Sequence, residues 1–227
     1  MEEKIPQPNL PTGSLDKNFS SSNLSPGSNL SPGETFPKIA LFGGSFDPPH
    51  LGHLEVARRA IEEAKLDKLI ILPAYQNPLK KGSSAPPELR FKWCKRVFTQ
   101  LPQVEVSRWE IDRGRVTYSY EAIDHFLQRE GVPYLYFILG ADNLLQLEKW
   151  KNIDKILPKI GLIVATRGEL GEEFHRALEK YPVSHLIKVD IPISSTQIRR
   201  GDFRYLPPEL LPEIKEFYGV ERAGQAD

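Results

Sequence analysis

Cysteine is nearly absent from this chain of 227 residues, which contains Cys94 and no other. An intrachain disulfide is therefore excluded. A reducing compartment fits this composition, so we expect a cytoplasmic protein. Long apolar runs are absent as well: no stretch approaches the roughly 18 residues needed to span a bilayer. The N-terminus also lacks the apolar core of a signal peptide.

The chain also lacks net charge. Its 30 basic and 30 acidic side chains give a formal charge of +0 at pH 7. This balance gives no reason to expect a nucleic-acid or membrane partner, although a local basic cluster would not show in the total. The length suits one globular domain plus a tail.

Large apolar side chains are scarce in residues 1–37, which are rich in serine, proline, asparagine and glycine and contain the repeat NLSPGS–NLSPGE. Such a segment cannot bury enough apolar surface to offset the entropy of ordering. We therefore expect a disordered tail at 1–37, a globular domain at 38–220 and a flexible C-terminus at 221–227. The tail could be an inert extension, a linker, a partner-binding segment or the product of a start codon assigned too far upstream.

Beyond the tail, apolar strand patterns alternate with amphipathic helix patterns. The predicted strands are residues 38–42, 68–72, 104–111, 134–139, 160–166 and 185–189. The first predicted helix has His50 and His53 in its first turn and an apolar face at Leu54, Ala57, Ile61 and Ala64. The other predicted helices are residues 87–100, 117–130, one or two short helices within 143–157, 172–180 and a helical turn at 195–200; residues 208–218 close the domain. Strands separated by helices of this length pair in parallel through right-handed crossovers. The sequence therefore predicts an α/β fold with a doubly wound parallel sheet.

Five polar segments follow directly after predicted strands. They read GGSFDPPH, LPAYQNPLK, LGAD, ATRG and PISST. Because the carboxyl ends of parallel strands lie at one edge of a sheet, we expect these segments to meet there. The sequence therefore predicts a ligand site at that edge, near the point where the strand order reverses.

The most informative stretch is KIALFGGSFDPPHLGHL at residues 38–54. After the strand, Gly43 and Gly44 allow a ligand to approach the backbone closely. His50 and His53 lie three residues apart in the first turn of the next helix, so both imidazoles can point the same way. A helix N-terminus after a glycine turn attracts phosphate, and histidines donate hydrogen bonds to it, more strongly when protonated. The segment predicts an anion site; the structural alternative is a strand–turn–helix with two surface histidines.

A second helix start lies near the C-terminus, in the motif ISSTQIR at residues 193–199. Ser194, Ser195 and Thr196 are good N-cap residues. Arg199 follows closely enough to reach over the same helix end. Taken alone, this pattern fits an ordinary capped helix with a surface arginine equally well.

The two motifs, in this order, resemble the signatures of the bacterial nicotinate-mononucleotide adenylyltransferases, which belong to the nucleotidyltransferase superfamily marked by HxGH. The resemblance covers roughly Lys38 to Gly219. It implies a Rossmann-like nucleotidyltransferase fold. It also implies transfer of the AMP moiety of ATP to nicotinic acid mononucleotide, which gives nicotinic acid adenine dinucleotide and pyrophosphate in NAD biosynthesis.

The resemblance assigns roles to individual residues. The implied catalytic residues are His50, His53 and Arg199. The implied ATP-binding residues are Gly43, Gly44, Ser45, Phe46, His50, His53, Asp142, Arg167, Ser194, Ser195, Thr196 and Arg199. The implied mononucleotide-binding residues are Gly44, Ser45, Asn77, Lys80, Thr117, Tyr118 and Trp150. Mg²⁺ is expected on the ATP phosphates, with no protein residue assigned to a metal site. A homo-oligomer is compatible with the sequence.

Three of these assignments rest on shorter segments. LPAYQNPLK resembles the family's LPxxxxPxK loop, and Lys80 would face substrate phosphates unless it is simply solvated. GADNLLQLEKW is similar to the family's GAD…W segment. Asp142 is expected to accept hydrogen bonds from ribose or adenine, and Trp150 to stack on the pyridine ring. The structural alternatives are a helix N-cap for Asp142 and a core position for Trp150.

Two segments depart from the family pattern. After Thr117 and Tyr118, the usual Thr-x-Asp-Thr continuation reads Ser-Tyr-Glu-Ala at 119–122. A backbone contact to the nicotinate carboxylate survives that change, whereas a side-chain contact does not. Arg167 and Gly168 stand where the family usually has Arg-Pro-Gly-Tyr. The missing Pro and Tyr remove the basis for predicting adenine contacts there.

Two other functions remain open at this point. The enzyme could accept nicotinamide mononucleotide, because a few backbone donors decide between a carboxylate and an amide. The chain could also be a nucleotide-binding sensor without activity, which the intact His50, His53 and Arg199 argue against. Other HxGH enzymes act on phosphopantetheine, phosphocholine or glycerol phosphate, and the segment with Asp142 and Trp150 argues against these.

Overall fold

The computed structural model describes residues 35–76, 85–168 and 170–219. The tail predicted at 1–37 lies almost entirely outside the described residues, as does the C-terminus predicted at 221–227. Asn77 and Lys80 also lie outside them.

Six parallel strands form one sheet in the order β3-β2-β1-β4-β5-β6. The strands are β1 Ile39–Gly44, β2 Lys68–Pro73, β3 Val104–Val106, β4 Leu135–Gly140, β5 Ile160–Thr166 and β6 Val183–Lys188. The strand order reverses between β1 and β4, so a crevice opens where their carboxyl ends diverge. The doubly wound parallel sheet expected from the sequence is confirmed.

Helices connect the strands and cover both faces of the sheet. They are α1 Leu51–Ala64, α2 Pro87–Phe98, α3 Trp109–Asp112, α4 Ser119–Glu130, α5 Ala141–Leu144, α6 Ile153–Ile156, α7 Glu172–Lys180, α8 Ser195–Arg199 and α9 Leu211–Gly219. Short 3₁₀ turns lie at Leu147–Lys149, Leu157–Lys159 and Pro208–Leu210.

The core consists of two apolar layers, one on each side of the sheet. Val56 of α1, Trp93 of α2 and Ile214 of α9 belong to one layer. Ile123 of α4 and Phe174 of α7 belong to the other. Covered on both faces, the central strands are apolar throughout rather than alternating, which explains why short apolar runs located them in the sequence.

One predicted strand is partly wrong. The expected strand at 104–111 ends at Val106, and a helical turn, α3, begins at Trp109. Ser107 still donates its backbone N–H to the Ile71 carbonyl of β2, at 2.9 Å. The next bond of the ladder would need an N–H at Pro73, which proline lacks. Ser107 Oγ instead accepts the backbone N–H of Trp109, at 3.2 Å, and the chain turns into a helix.

Helix boundaries elsewhere differ from the predictions by a few residues. The helix expected at 117–130 begins at Ser119, and Tyr118 is its N-cap residue. Gly131 ends it in the left-handed conformation, with φ of 65°, as the sequence predicted.

Candidate active site

The carboxyl ends of β1, β2, β4 and β5 lie at one edge of the sheet. The glycine turn after β1 therefore lies beside the segments that follow β2, β4 and β5. Within the described residues, this brings most of the predicted site residues into two neighbouring groups. One group surrounds the two histidines, and the other lines a cavity.

His50 and His53 form a reciprocal pair at the start of α1. His50 is the N-cap residue, and its Nδ1 accepts the backbone N–H of His53 at 3.3 Å. His53 Nδ1 accepts the backbone N–H of His50, also at 3.3 Å. The rings stack with centroids 3.7 Å apart. Because each Nδ1 is an acceptor, the N–H of each ring is assigned to Nε2.

The two histidines differ in burial. His50 is 1 % exposed, and burial together with the nearby charge of Arg167 lowers its pKa to about 3. His50 is therefore neutral near pH 7, and the expectation that protonation strengthens its phosphate contact does not hold for it. His53 is half-buried and is thus the more accessible donor.

Gly52 makes this pairing possible. A Cβ at this position would lie 3.0 Å from His50 Nδ1 and 3.4 Å from Cγ2 of Ile193. A side chain would require the His50 ring to shift by a few tenths of an ångström, whereas the distance to Ile193 is an ordinary van der Waals contact. The glycine of HxGH therefore favours the close packing of the His50 ring and is not needed for an unusual backbone angle.

The ISSTQIR motif packs directly against the segment that precedes the histidines. Ser195 Oγ donates to the Pro48 carbonyl at 2.9 Å. Arg199 Nη1 donates to the Asp47 carbonyl at 2.6 Å, although the two residues lie 152 positions apart. Ser194 is the N-cap residue of α8, as predicted, and its side chain accepts the backbone N–H of Gln197 at 3.3 Å.

Two further contacts hold this end of the site together. Arg199 Nη2 donates to Thr196 Oγ1 at 3.0 Å. Arg167, at the end of β5, donates to the Ile193 carbonyl at 2.7 Å. The structure therefore places His50, His53, Arg167 and the second motif in one group.

Asp47 is a central residue that the sequence analysis did not single out. It is buried, and its Oδ1 accepts the backbone N–H of Ala85 at 3.1 Å and the hydroxyl hydrogen of Tyr218 at 2.7 Å. Its Oδ2 lies 3.7 Å from Arg199 Nη1. In the sequence, only the position of Asp47 within the GGSFDPPHLGH motif could have indicated its importance, because the residues that contact it lie far away in the chain.

The turn after β1 contributes mainly backbone to the site. Phe46 adopts a positive φ of 48°, and its buried ring packs against His53 with centroids 5.0 Å apart. Its side chain is therefore unavailable to a ligand, and only its backbone could bind ATP. Ser45 Oγ is buried without a hydrogen-bond partner among the described residues.

A cavity of about 230 Å³ extends from the glycine turn to Trp150. Its lining includes five residues predicted for the site: Gly43, Gly44, Thr117, Tyr118 and Trp150. Lys149 and Lys151 add positive charge, and the ammonium of Lys151 lies 4.6 Å from the centroid of the Tyr118 ring. The cavity therefore suits a flat ligand that carries negative charge.

Trp150 is a half-buried wall of this cavity rather than a fully buried core residue. Its ring meets Phe137 edge-on, with centroids 5.5 Å apart. Its Nε1 is buried, and no described residue accepts a hydrogen bond from it. Asp142 is exposed in the first turn of α5, whose N-cap is Gly140, so the N-cap alternative for Asp142 is wrong. Asn143, not Asp142, lines the cavity.

Glu110 is a cavity residue that sequence reasoning missed. It is 8 % exposed, and burial raises its pKa to about 8. The backbone N–H of Tyr75 donates to its carboxyl group, and the positive charge of Arg90 opposes the effect of burial. The sequence predicted a partly exposed strand at 104–111, so nothing in the pattern marked Glu110 as a buried acid.

Within residues 35–76, 85–168 and 170–219, no cluster of three or more His, Cys, Asp or Glu side chains is arranged to hold a metal ion. Across the same residues, no helix combines the length and the apolar character needed to cross a membrane.

Comparison with known proteins gives consistent matches. The model of the cytidylyltransferase-like family matches residues 41–201. A probable nicotinate-nucleotide adenylyltransferase of Nitratiruptor sp. is 42% identical over 183 residues, which cover 80% of this chain and 98% of the relative. The corresponding protein of Aliarcobacter butzleri is 36% identical over 178 residues, covering 78% of this chain and 94% of the relative.

Solved structures agree at the level of the fold. The nicotinic acid mononucleotide adenylyltransferase of Plasmodium falciparum, complexed with APC, superimposes with a TM-score of 0.62 at 17% identity. The match covers 82% of this chain and 98% of that one. Such low identity establishes the fold alone, whereas the bacterial relatives align over nearly their whole length at far higher identity. On that alignment and on the family model, the chain belongs to the nicotinate-nucleotide adenylyltransferases of the cytidylyltransferase-like family.

Proposed function

We propose that this protein transfers the AMP moiety of ATP to nicotinic acid mononucleotide, producing nicotinic acid adenine dinucleotide and pyrophosphate. The observation that carries the proposal is the arrangement of two adjacent sites. The paired histidines lie beside the docked ISSTQIR motif, and a cavity begins at the same glycine turn and ends at Trp150. The histidine side provides hydrogen-bond donors for phosphate oxygens, and the cavity provides space for a ring.

The reaction needs little acid–base chemistry. A phosphate oxygen of the mononucleotide, already ionised near pH 7, attacks the α-phosphorus of ATP. The bond from that phosphorus to the bridging oxygen breaks, and the electron pair leaves with pyrophosphate. The task of the protein is to align the two substrates and to stabilise negative charge. A neutral His50 suits this task, because its N–H can donate a hydrogen bond to a phosphate oxygen and no proton has to be transferred.

We assign the phosphate contacts to the first group of residues. His53 and His50 would donate from Nε2 to oxygens of the α- and β-phosphates. Arg199 and the amides near Ser195 and Thr196 would bind the leaving pyrophosphate. Bound to the ATP phosphates, Mg²⁺ would supply further neutralisation of the leaving group.

We assign the mononucleotide to the cavity. Trp150, which lines this cavity, would stack on the pyridine ring. The backbone amide of Thr117, near the N-terminus of α4, would bind the nicotinate carboxylate. The amide of Tyr118 donates to Glu121 Oε2 at 3.0 Å and would bind that carboxylate only after releasing Glu121. Asn77 and Lys80, which lie outside the described residues, stay predictions for this substrate, as do the cytoplasmic location and a homo-oligomeric state.

The test is release of pyrophosphate from ATP with nicotinic acid mononucleotide and, separately, with nicotinamide mononucleotide. We expect turnover with both ATP and the nicotinate substrate present, and much weaker turnover with the amide. Preference for the amide would reassign the substrate. No turnover with either mononucleotide, with ATP binding retained, would indicate a sensor instead.

A further inference from the structure

Arg90 is a buried cation that the proposed reaction does not use. It belongs to α2, has no exposed surface and does not line the cavity. A buried guanidinium is costly unless its N–H groups are bonded. An apolar side chain would pack α2 at lower cost, so the contacts of Arg90 indicate its role.

The guanidinium donates to three backbone carbonyls from three different segments. Its Nη1 donates to Ser45 at 2.6 Å, in the turn after β1. Its Nη2 donates to Tyr75 at 2.9 Å, just after β2. Its Nε donates to Ala85 at 3.1 Å, just before α2. The planar guanidinium thus fixes these three carbonyls relative to one another.

The segments joined in this way face different substrates. Ser45 lies between the glycines and the histidine pair, on the side assigned to ATP. Tyr75 follows the strand end that forms the cavity wall at Leu72 and Ala74, on the side assigned to the mononucleotide. The backbone of Tyr75 is held at a second point, because its N–H donates to the carboxyl group of Glu110.

We propose that Arg90 is a positioning residue that sets the distance between the ATP side and the mononucleotide side of the site. The inference rests on the proposed function. In-line attack requires the attacking oxygen and the α-phosphorus to be aligned, and a displacement of about 1 Å can lower the rate by about 10²-fold. Removing the guanidinium should therefore lower kcat by about that factor. KM for each substrate should change much less, because each segment keeps its own contacts.

Three variants of the enzyme test this. Arg90→Ala removes the guanidinium, and Arg90→Lys keeps a charge but cannot bond three carbonyls. Arg96→Ala is the matched control, because Arg96 lies on the same helix and contacts Glu213 at the surface. The measurements are kcat, both KM values and melting temperature, with and without guanidinium ion at concentrations that do not unfold the protein.

We expect Arg90→Ala and Arg90→Lys to fold and to lose about 10²-fold in kcat, with Arg96→Ala close to the parent. Guanidinium ion should restore part of the turnover of Arg90→Ala and leave the control unchanged. A purely structural role would lower the melting temperature without such rescue.

A folded Arg90→Ala enzyme with kcat within threefold of the parent overturns the proposal. So does a rise in both KM values at unchanged kcat. Failure of both variants to fold would also overturn it, because Arg90 would then be a determinant of folding. If the parent itself releases no pyrophosphate, the proposed function fails, and this inference fails with it for that separate and recognisable reason.

Discussion

The two halves of the candidate site are built differently. At the histidine end, protein groups satisfy one another's hydrogen bonds. His50 and His53 each accept the other's backbone N–H. Arg199 and Ser195 donate to the backbone carbonyls of Asp47 and Pro48, respectively. At the cavity end, fewer of the buried polar groups are bonded. The Trp150 Nε1 is buried with no acceptor among the described residues, and Glu110 accepts the Tyr75 N–H but is buried in a setting that disfavours its charge.

This difference follows from what each half has to do. Charge that develops during a reaction is stabilised best by donors already fixed in place, because none of the reaction's free energy then goes into ordering them. A ring is recognised by a space of the right shape with a few polar groups around it. The histidine end should therefore govern kcat, and the cavity should govern the KM of the mononucleotide.

The largest effect is expected at His53. Its accessible N–H should donate more strongly to a phosphate oxygen as the bond to pyrophosphate breaks. Losing one such donor typically costs about 10²–10³ in kcat. His53→Ala should lose that much with little change in the KM of ATP, and His53→Asn should recover part of it. His175→Ala, at an exposed histidine of α7, serves as control in steady-state kinetics. A folded His53→Ala enzyme within threefold of the parent kcat would contradict this role.

A smaller effect, confined to one substrate, is expected at Trp150. Aromatic stacking on a base contributes about 1–3 kcal/mol. Trp150→Ala should accordingly raise the KM of the mononucleotide by about 10–100-fold, with a much smaller change for ATP. Trp109→Ala is the control, because Trp109 stacks on His125 and does not line the cavity. Equal damage to both substrates with a fallen melting temperature would point to a core role instead.

The effect expected at Glu110 depends on pH. Its pKa is raised from 4.5 to about 8 in the folded protein. The folded state therefore holds a proton that the unfolded state releases, so this group destabilises the fold progressively as pH rises from about 4.5 to 8. Glu110→Gln stays neutral and keeps an acceptor for the Tyr75 N–H. The difference in melting temperature, Glu110→Gln minus parent, should therefore increase as the pH rises through that interval.

Melting curves of Glu110→Gln and of Glu148→Gln, an exposed control, test this directly. A pH-independent difference between Glu110→Gln and the parent would show that Glu110 is ionised throughout. Above pH 8, the ionised Glu110 should also raise the parent's KM for the anionic mononucleotide, and the variant should not show this rise.

The smallest effect is expected outside both halves. Deleting residues 1–34 should leave melting temperature and turnover nearly unchanged, because their composition cannot support a core. The relative from Nitratiruptor aligns over 98% of its length with only 80% of this chain, which fits an extension beyond the shared domain. A loss of several degrees, or a tenfold fall in turnover, would show that the extension packs against the domain.

The sequence predicted the fold well because the sheet is buried on both faces. Residues 69–72 and 160–165 contain only apolar residues and one glycine, a pattern typical of strands buried on both faces. The prediction was partly wrong at 104–111, because β3 ends where the neighbouring strand β2 lacks a backbone N–H. The missing N–H is that of Pro73, which lies more than thirty residues earlier in the chain. A pattern within residues 104–111 therefore could not show where the strand ends.

Candidate site residues could be proposed where a motif is short and continuous. GGSFDPPHLGH and ISSTQIR singled out His50, His53 and Arg199, which lie close together in the structure; their roles in the reaction stay predictions. Other features of the candidate site could not be predicted from the sequence. They are the burial of His50, the hydrogen bonds of Asp47, the buried carboxyl group of Glu110 and the buried guanidinium of Arg90. Each depends on residues that only folding brings together, so the sequence around each position does not reveal it.

The bond from Tyr218 to Asp47 has a consequence for how the protein is made. It joins residues 171 positions apart, one in the first motif and one in α9. During synthesis, Asp47 is therefore added to the chain long before the tyrosine that donates to it. A chain that ends between the two residues carries the histidine motif without this contact, and we expect full activity only after α9 has docked.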